Sequence, residues 1–105
     1  MGRAKGDAQK ISVVRRLNTK TLSVAETAEI KTCLELAEDS LPDYNVSEYA
    51  DRFDALIKAA SQDKLALSPS LASAITELIS VGLQANIDPS QRHRLQQAIQ
   101  LMLLH

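Results

Sequence analysis

The spacing of apolar residues predicts helices over most of the chain. From position 23 onward, apolar side chains recur at intervals of three and four, which places them on one face of a helix. The predicted helices cover about residues 24–39, 46–61, 69–85 and 89–104. Short connections between them indicate two antiparallel helical hairpins packed as a four-helix bundle. The pattern therefore predicts an all-α fold.

The residues before each predicted helix favour a helix start. In a capping box, two side chains three positions apart each accept a backbone N–H that the first turn leaves free. A proline at the first helical position is equally favourable, because it lacks the N–H that would go unpaired there. Ser68 followed by Pro69 is of this second kind. The capping-box pairs are Ser23/Glu26, Asn45/Glu48 and Asp88/Gln91.

The two hairpins resemble each other in sequence. Leu22-Ser23 recurs as Leu67-Ser68, and Ile30 recurs as Ile75, which suggests hairpins about 45 residues apart. That period lies in the range of helical repeats, although stacked repeats generally need three or more copies. Two unrelated amphipathic hairpins are the alternative.

The third predicted helix carries apolar residues around most of its circumference. Such a helix is usually central in a bundle or lies at a subunit contact. Gly82 within it is expected to permit close approach of a neighbouring helix. Its candidate protein interface comprises Ile79, Val81 and Leu83.

Composition limits the chain to one ordinary globular domain. A length of 105 residues suits a single core, with 45% hydrophobic and 24% charged residues. The lone Cys33 cannot form an internal disulfide, and no apolar run reaches the roughly 18 residues that span a bilayer. We therefore expect a cytoplasmic protein without membrane insertion.

Charge divides the chain into a basic arm, residues 1–20, and an acidic four-helix domain, residues 21–105. The arm has six basic residues against Asp7, a balance of +5, which leaves the rest of the chain at −6. It is predicted to be partly flexible, or to form a short strand or helix over 10–17. Three alternative roles fit the arm: a solubilising end, contact with nucleic-acid phosphates, or capture of an acidic protein. The candidate contact residues are Arg3, Lys5, Lys10, Ser12, Arg15, Arg16 and Lys20.

The region from Lys10 to Ala60 loosely resembles the ribbon-helix-helix DNA-binding family, with a short strand candidate followed by two helices. The resemblance implies a dimer whose strand residues at positions 10, 12 and 16 enter the major groove of DNA. Two features depart from the family: the turn from Leu41 to Asn45 lacks a glycine, and Val14 interrupts the polar strand face.

Catalytic and cofactor motifs are missing from the sequence. Three glycines, at positions 2, 6 and 82, cannot form a phosphate-binding loop or a dinucleotide-binding turn. Cys33, His93 and His105 are too scattered for a metal site, so we expect no metal and no cofactor. Cys33 with His93 as its base is a formal nucleophile, but its inward position favours a role in the core.

Two charged clusters occupy helix ends that the helix dipole disfavours. Arg92, His93 and Arg94 lie near the start of the fourth helix, and Glu35, Glu38 and Asp39 near the end of the first. In an antiparallel bundle both ends share one pole, so we predict a salt-bridge patch. Otherwise the basic cluster is a secondary binding patch.

Together these features predict a non-enzymatic helical binding protein, such as a regulator, adaptor or small subunit. Its partner is another protein or a second copy, reached through the third helix and the basic arm, with nucleic acid as an alternative partner of the arm. The alternative function is a ribbon-helix-helix-like DNA-binding dimer.

Overall fold

The computed structural model describes residues 17–103, and four helices account for most of them. Helix α1 spans Val24–Asp39, α2 spans Asp43–Ala59, α3 spans Pro69–Leu83 and α4 spans Pro89–Leu101. The predicted all-α four-helix arrangement is confirmed. Predictions about residues 1–16, 104 and 105 lie outside the described residues.

Three of the four helix starts follow the predicted capping residues. The Ser23 hydroxyl accepts the Glu26 N–H at 3.1 Å, and the Glu26 carboxylate accepts the Ser23 N–H at 2.9 Å. The Ser68 hydroxyl accepts a backbone N–H of α3 at 3.2 Å, and the Asp88 N–H donates to the Gln91 amide oxygen at 3.3 Å. Local side-chain chemistry therefore sets where these helices begin.

The predicted start of α2 is wrong. The helix begins at Asp43 after an extended Pro42, and Asn45 is already inside it, because both the Asn45 and Val46 N–H groups bind the Pro42 carbonyl. The acidic Asp43 in the first turn is favourable for the helix dipole, so the capping box expected at Asn45 and Glu48 is not needed.

Helices α2, α3 and α4 end two or three residues earlier than predicted, at Ala59, Leu83 and Leu101. At two of these ends a side chain binds a carbonyl that the helix leaves free. Arg92 Nη1 donates to the Leu83 carbonyl at 2.9 Å, and Asn18 Nδ2 donates to the Leu101 carbonyl at 2.9 Å.

Helices α1 and α3 form the centre of the bundle. Each contacts the other three helices, whereas α2 and α4 do not touch each other within the described residues. The predicted central position of α3 is therefore confirmed, and α1 shares it. The completely buried side chains come mostly from this pair: Ile30, Cys33, Leu34, Ile75, Leu78 and Ile79, with Phe53 from α2 and Leu95 from α4.

The close approach expected at Gly82 is observed. A β-carbon at position 82 would lie 2.5 Å from Ala37 Cβ and 2.8 Å from Ala37 Cα. The backbones of α1 and α3 therefore meet at a distance that only glycine on one side permits.

The two hairpins are structurally equivalent at an offset of 45 residues. Thr21 pairs with Ala66 in an antiparallel bridge, and Ala37 contacts Gly82; in each pair the numbers differ by 45. Contacts between equivalent residues are those that an approximate twofold axis between α1 and α3 produces. Further buried pairs at this offset are Leu22/Leu67, Ile30/Ile75, Cys33/Leu78, Leu34/Ile79 and Phe53/Ala98.

Backbone hydrogen bonds around the bridge follow the same symmetry. The Leu22 N–H donates to the Leu65 carbonyl at 2.8 Å, and the Leu67 N–H donates to the Lys20 carbonyl at 3.1 Å. Exchanging each residue for its equivalent, Leu22 for Leu67 and Leu65 for Lys20, turns one bond into the other. The pairing of these short segments joins the starts of the two hairpins.

Candidate functional site

Most of the candidate contact residues of the basic arm lie outside the described residues: Arg3, Lys5, Lys10, Ser12, Arg15 and Arg16. Lys20 is described and exposed, with its ammonium nitrogen 4.0 Å from the Glu26 carboxylate. Leu17, at the root of the arm, forms an antiparallel bridge with Leu103 of its own chain. The expected strand or helix over 10–17 stays a prediction for the other positions.

The three residues of the secondary basic patch have separate partners. Arg92 binds the end of α3, and the exposed His93 ring nitrogen lies 3.2 Å from Gln97. Arg94 makes a two-pronged ion pair with Glu29, at 2.6 and 2.8 Å, and these bonds lower the pKa of the Glu29 carboxyl.

The predicted salt-bridge patch is wrong in its partners. None of the ion pairs found among residues 17–103 involves Glu35, Glu38 or Asp39. Because α1 and α4 are antiparallel, Arg94, the sixth residue of α4, meets α1 at Glu29 rather than at its end.

The three residues of the candidate interface on α3 differ in their burial. Ile79 is completely buried in the core of its own bundle, so it is unavailable to a partner in this fold. Val81 and Leu83 are partly exposed and pack against the edge of that core. Of the three, Val81 lines an open groove.

This groove, of about 410 Å³, lies between the start of α2 and the end of α3. We call it the tyrosine groove, because both tyrosines of the chain line it. Tyr44 is 77% exposed, the largest exposure among the described large hydrophobic side chains. The groove is lined by Leu41, Pro42, Tyr44, Asn45, Tyr49, Val81, Gln84, Ala85 and Asn86.

One wall of the groove is held by an interaction between helices. Arg52 in α2 forms an ion pair with Glu77 in α3, and its guanidinium lies over the Tyr49 ring, 6.0 Å from the ring centre. A cation over an aromatic face is attractive and restricts the motion of the ring. Tyr49 therefore packs against the bundle with Arg52 over its ring, while Tyr44 projects into solvent.

The repeated architecture sets Tyr44 apart from the core, whereas Tyr49 packs against the core edge and is partly buried. At the offset of 45, Tyr44 corresponds to Pro89 and Tyr49 to Arg94, so the second hairpin forms without a ring at either position. An exposed aromatic ring that the architecture does not need is typical of a binding surface.

The groove lies in the most acidic part of the chain. Residues 35–54 hold seven of the thirteen acidic residues, against the single base Arg52. Burial raises the pKa of the Glu38 carboxyl, and the negative charges of Asp54, Asp39 and Glu35 raise it further. The like charges of Asp54, Asp39 and Glu35 around Glu38 show that carboxylates are close together at this part of the surface.

Cys33 is completely buried between α1 and α4. Its Sγ lies 3.5 Å from a Glu29 carboxylate oxygen and 3.9 Å from the Arg94 carbonyl. Burial, with the Glu29 charge, raises the pKa of the thiol to about 12. A thiol that stays protonated is a poor nucleophile, which supports the expected core role.

We expect Cys33 to be unreactive in the folded protein. With Ellman's reagent near pH 8.5, where an ordinary thiol is half ionised, labelling of the native chain is expected to proceed only as fast as the chain opens. Addition of guanidinium chloride should make labelling rapid. Rapid stoichiometric labelling of the native protein would contradict the buried position.

Residues 17–103 hold neither a cluster of metal ligands nor a membrane-spanning helix. No group of three or more histidine, cysteine, aspartate or glutamate side chains is placed to hold a metal ion. None of the helices in that range is both long and apolar enough to cross a membrane.

Comparison of the chain with protein-family models, with curated proteins and with solved structures found no match. The site is therefore defined by its geometry alone. The sequence analysis missed the tyrosine groove, because its two walls come from segments some 40 residues apart. One sequence feature indicates the site: both tyrosines of the chain lie within six residues of each other, at positions 44 and 49.

Proposed function

We propose that this chain is a non-enzymatic binding protein that captures a segment of a partner protein in the tyrosine groove. The observation that carries the proposal is the position of both tyrosines along one open groove, with Tyr44 77% exposed. Tyrosine is enriched at the centres of protein interfaces, because its ring buries a large area with few rotatable bonds.

The chemistry of the groove indicates which segments fit. Leu41, Val81 and the two rings offer apolar surface, while Asn45 and Gln84 offer hydrogen-bonding amides. The exposed Asp43 and Glu48, one and four residues from Tyr44 in α2, favour a segment that carries basic residues beside an apolar anchor. A protonated buried cysteine supports the view that surface contact, rather than covalent chemistry, is the activity.

A peptide library displayed on phage and selected against the full chain tests this function. We expect enrichment of peptides with an apolar or aromatic anchor flanked by lysine or arginine. Tyr44→Ala should weaken the selected peptides at least tenfold, because truncating a central aromatic contact costs about 2 kcal/mol or more. Binding is measured by fluorescence polarisation.

Val24→Ala is the matched control. Among residues 17–103, Val24 is the other exposed large hydrophobic side chain, 55% exposed, and it lies at the start of α1, at the opposite end of that helix from Leu41. This variant should bind as the parent chain does. Selected peptides that are insensitive to Tyr44→Ala would contradict the proposed function, as would the absence of any enriched sequence.

A further inference from the structure

We propose that the tyrosine groove binds residues 10–16 of a second copy of this chain. The inference rests on the proposed function, since it names an occupant for the same groove. The segment reads Lys-Ile-Ser-Val-Val-Arg-Arg, in which three β-branched apolar residues lie between basic ones. It has the composition that the groove favours.

The lining of the groove is uncharged, but the charges beside it in the chain are complementary to those of the segment. Residues 38–48, which include one wall of the groove, carry Glu38, Asp39, Asp43 and Glu48 and no base. Glu48 lies one helical turn after Tyr44, on the same side of α2, and it is exposed. Residues 10–16 carry three bases and no acid. Nearby Arg52 and Arg92 are engaged with Glu77 and with the end of α3.

The reach of the chain favours an occupant from another copy. Leu17 is fixed beside Leu103 at the end of α4, the pole at which α1 begins. The groove starts at Leu41, beyond the other end of α1. Sixteen helical residues extend about 24 Å.

The apolar residues of the segment lie within a shorter distance of Leu17 than the length of α1. Val14 is three residues before Leu17 and Ile11 is six, so a fully extended chain carries them at most about 11 Å and 22 Å away. Val14 therefore falls short of Tyr44 at the far pole. Even a fully extended chain would bring Ile11 to Tyr44 only if α2 and α4 were adjacent, and these helices do not touch within the described residues. The groove of a neighbouring copy has no such restriction, so binding in this manner joins two copies.

Sedimentation of the full-length chain over a range of concentrations tests the inference. We expect self-association that weakens at raised salt, because screening reduces the attraction between arm and groove. Tyr44→Lys, which places a cation at the exposed groove residue, should raise the dissociation constant at least tenfold. The variant in which Lys10, Arg15 and Arg16 are all changed to glutamate should do the same.

Mixing the two variants is the decisive measurement. Tyr44→Lys retains the basic segment, and the charge-reversed variant retains the groove, so the mixture should form a heterodimer although each alone is monomeric. Val24→Ala is the control and should associate as the parent chain does. Circular dichroism confirms that every variant is helical.

Three outcomes would overturn the inference: a full-length chain that is monomeric at all concentrations, association that persists in Tyr44→Lys, or association that nuclease treatment abolishes. The last would assign the basic segment to nucleic acid. If library peptides still require Tyr44 in any of these cases, the groove keeps its proposed function and only the occupant is wrong. If they do not, both proposals fail.

Discussion

Gly82→Ala is expected to lower the free energy of unfolding by about 1–3 kcal/mol, the range typical of overpacked cores. In most helices the same change stabilises by up to about 1 kcal/mol, because alanine has the higher helix propensity. Here the added β-carbon would lie 2.5 Å from Ala37 Cβ, and the Ala37 backbone is almost as near. The clash cannot be relieved by a side-chain rotation, so α1 and α3 must separate. Urea denaturation measures the effect.

A second substitution at the contact separates sterics from propensity. Ala37→Gly alone should destabilise by about 1 kcal/mol through helix propensity. Combined with Gly82→Ala, it removes one of the clashing atoms, so the double variant should be more stable than the sum of the two single effects predicts. Ser73→Ala, at an exposed position of α3, is the control and should be neutral or slightly stabilising. A Gly82→Ala variant more stable than the parent would contradict the close approach.

Thr27→Val is expected to destabilise the chain by about 1–3 kcal/mol although it preserves the shape of the side chain. Thr27 is completely buried, and its hydroxyl accepts the Leu65 N–H at 2.9 Å. Valine leaves that buried donor without a partner, and the loss of a buried hydrogen bond costs about this much. Thermal or urea unfolding gives the magnitude, and hydrogen exchange of the Leu65 amide should become faster than the change in global stability explains.

Thr27→Ser is the matched comparison, because it keeps the hydroxyl and loses one methyl group, worth about 0.8 kcal/mol. The serine variant should therefore be more stable than the valine variant and should keep the Leu65 amide protected. The reverse order of stability would show that packing, rather than the hydrogen bond, holds the connection between the hairpins.

The helices that the sequence predicted well are those whose starts depend on neighbours in the chain. The side chains of Ser23, Ser68 and Gln91 bind backbone groups three residues away, so their effect can be predicted from the sequence. The predicted start of α2 was wrong. Asn45 and Glu48 have the spacing of a capping box, yet the chain becomes helical three residues earlier than predicted, directly after Pro42.

Features that depend on distant pairs were not predictable in the same way. Asn18 binds the backbone at the C-terminal end of α4, more than 80 residues away. Its N–H donates to the Met102 carbonyl at 3.0 Å and its Nδ2 to the Leu101 carbonyl at 2.9 Å. Nothing near Asn18 or Thr27 in sequence reveals these partners. The predicted acidic partners of Arg94 were wrong for the same reason. Helices α1 and α4 are antiparallel as predicted, but Arg94 meets α1 at Glu29 and not at its C-terminal end.

The repeat illustrates how little sequence identity an equivalent position needs. Leu34 and Ile79 are both completely buried, and Phe53 and Ala98 occupy equivalent core positions despite their different volumes. The donors Leu65 N–H and Lys20 N–H are also equivalent, yet one is bound by the Thr27 hydroxyl and the other by the Asn18 amide oxygen. Each of the two equivalent N–H groups has a side-chain hydrogen-bond acceptor, but different residues supply it.

The bridge between Leu17 and Leu103 brings the two limits of the described chain side by side. A short linker from 103 to 17, with new ends opened in the exposed turn at residues 61–64, would therefore place the second hairpin before the first. Because the hairpins are equivalent at 45 residues, such a circular permutant would retain the same central pair and the same flanking helices. The fold therefore does not depend on which hairpin comes first in the chain.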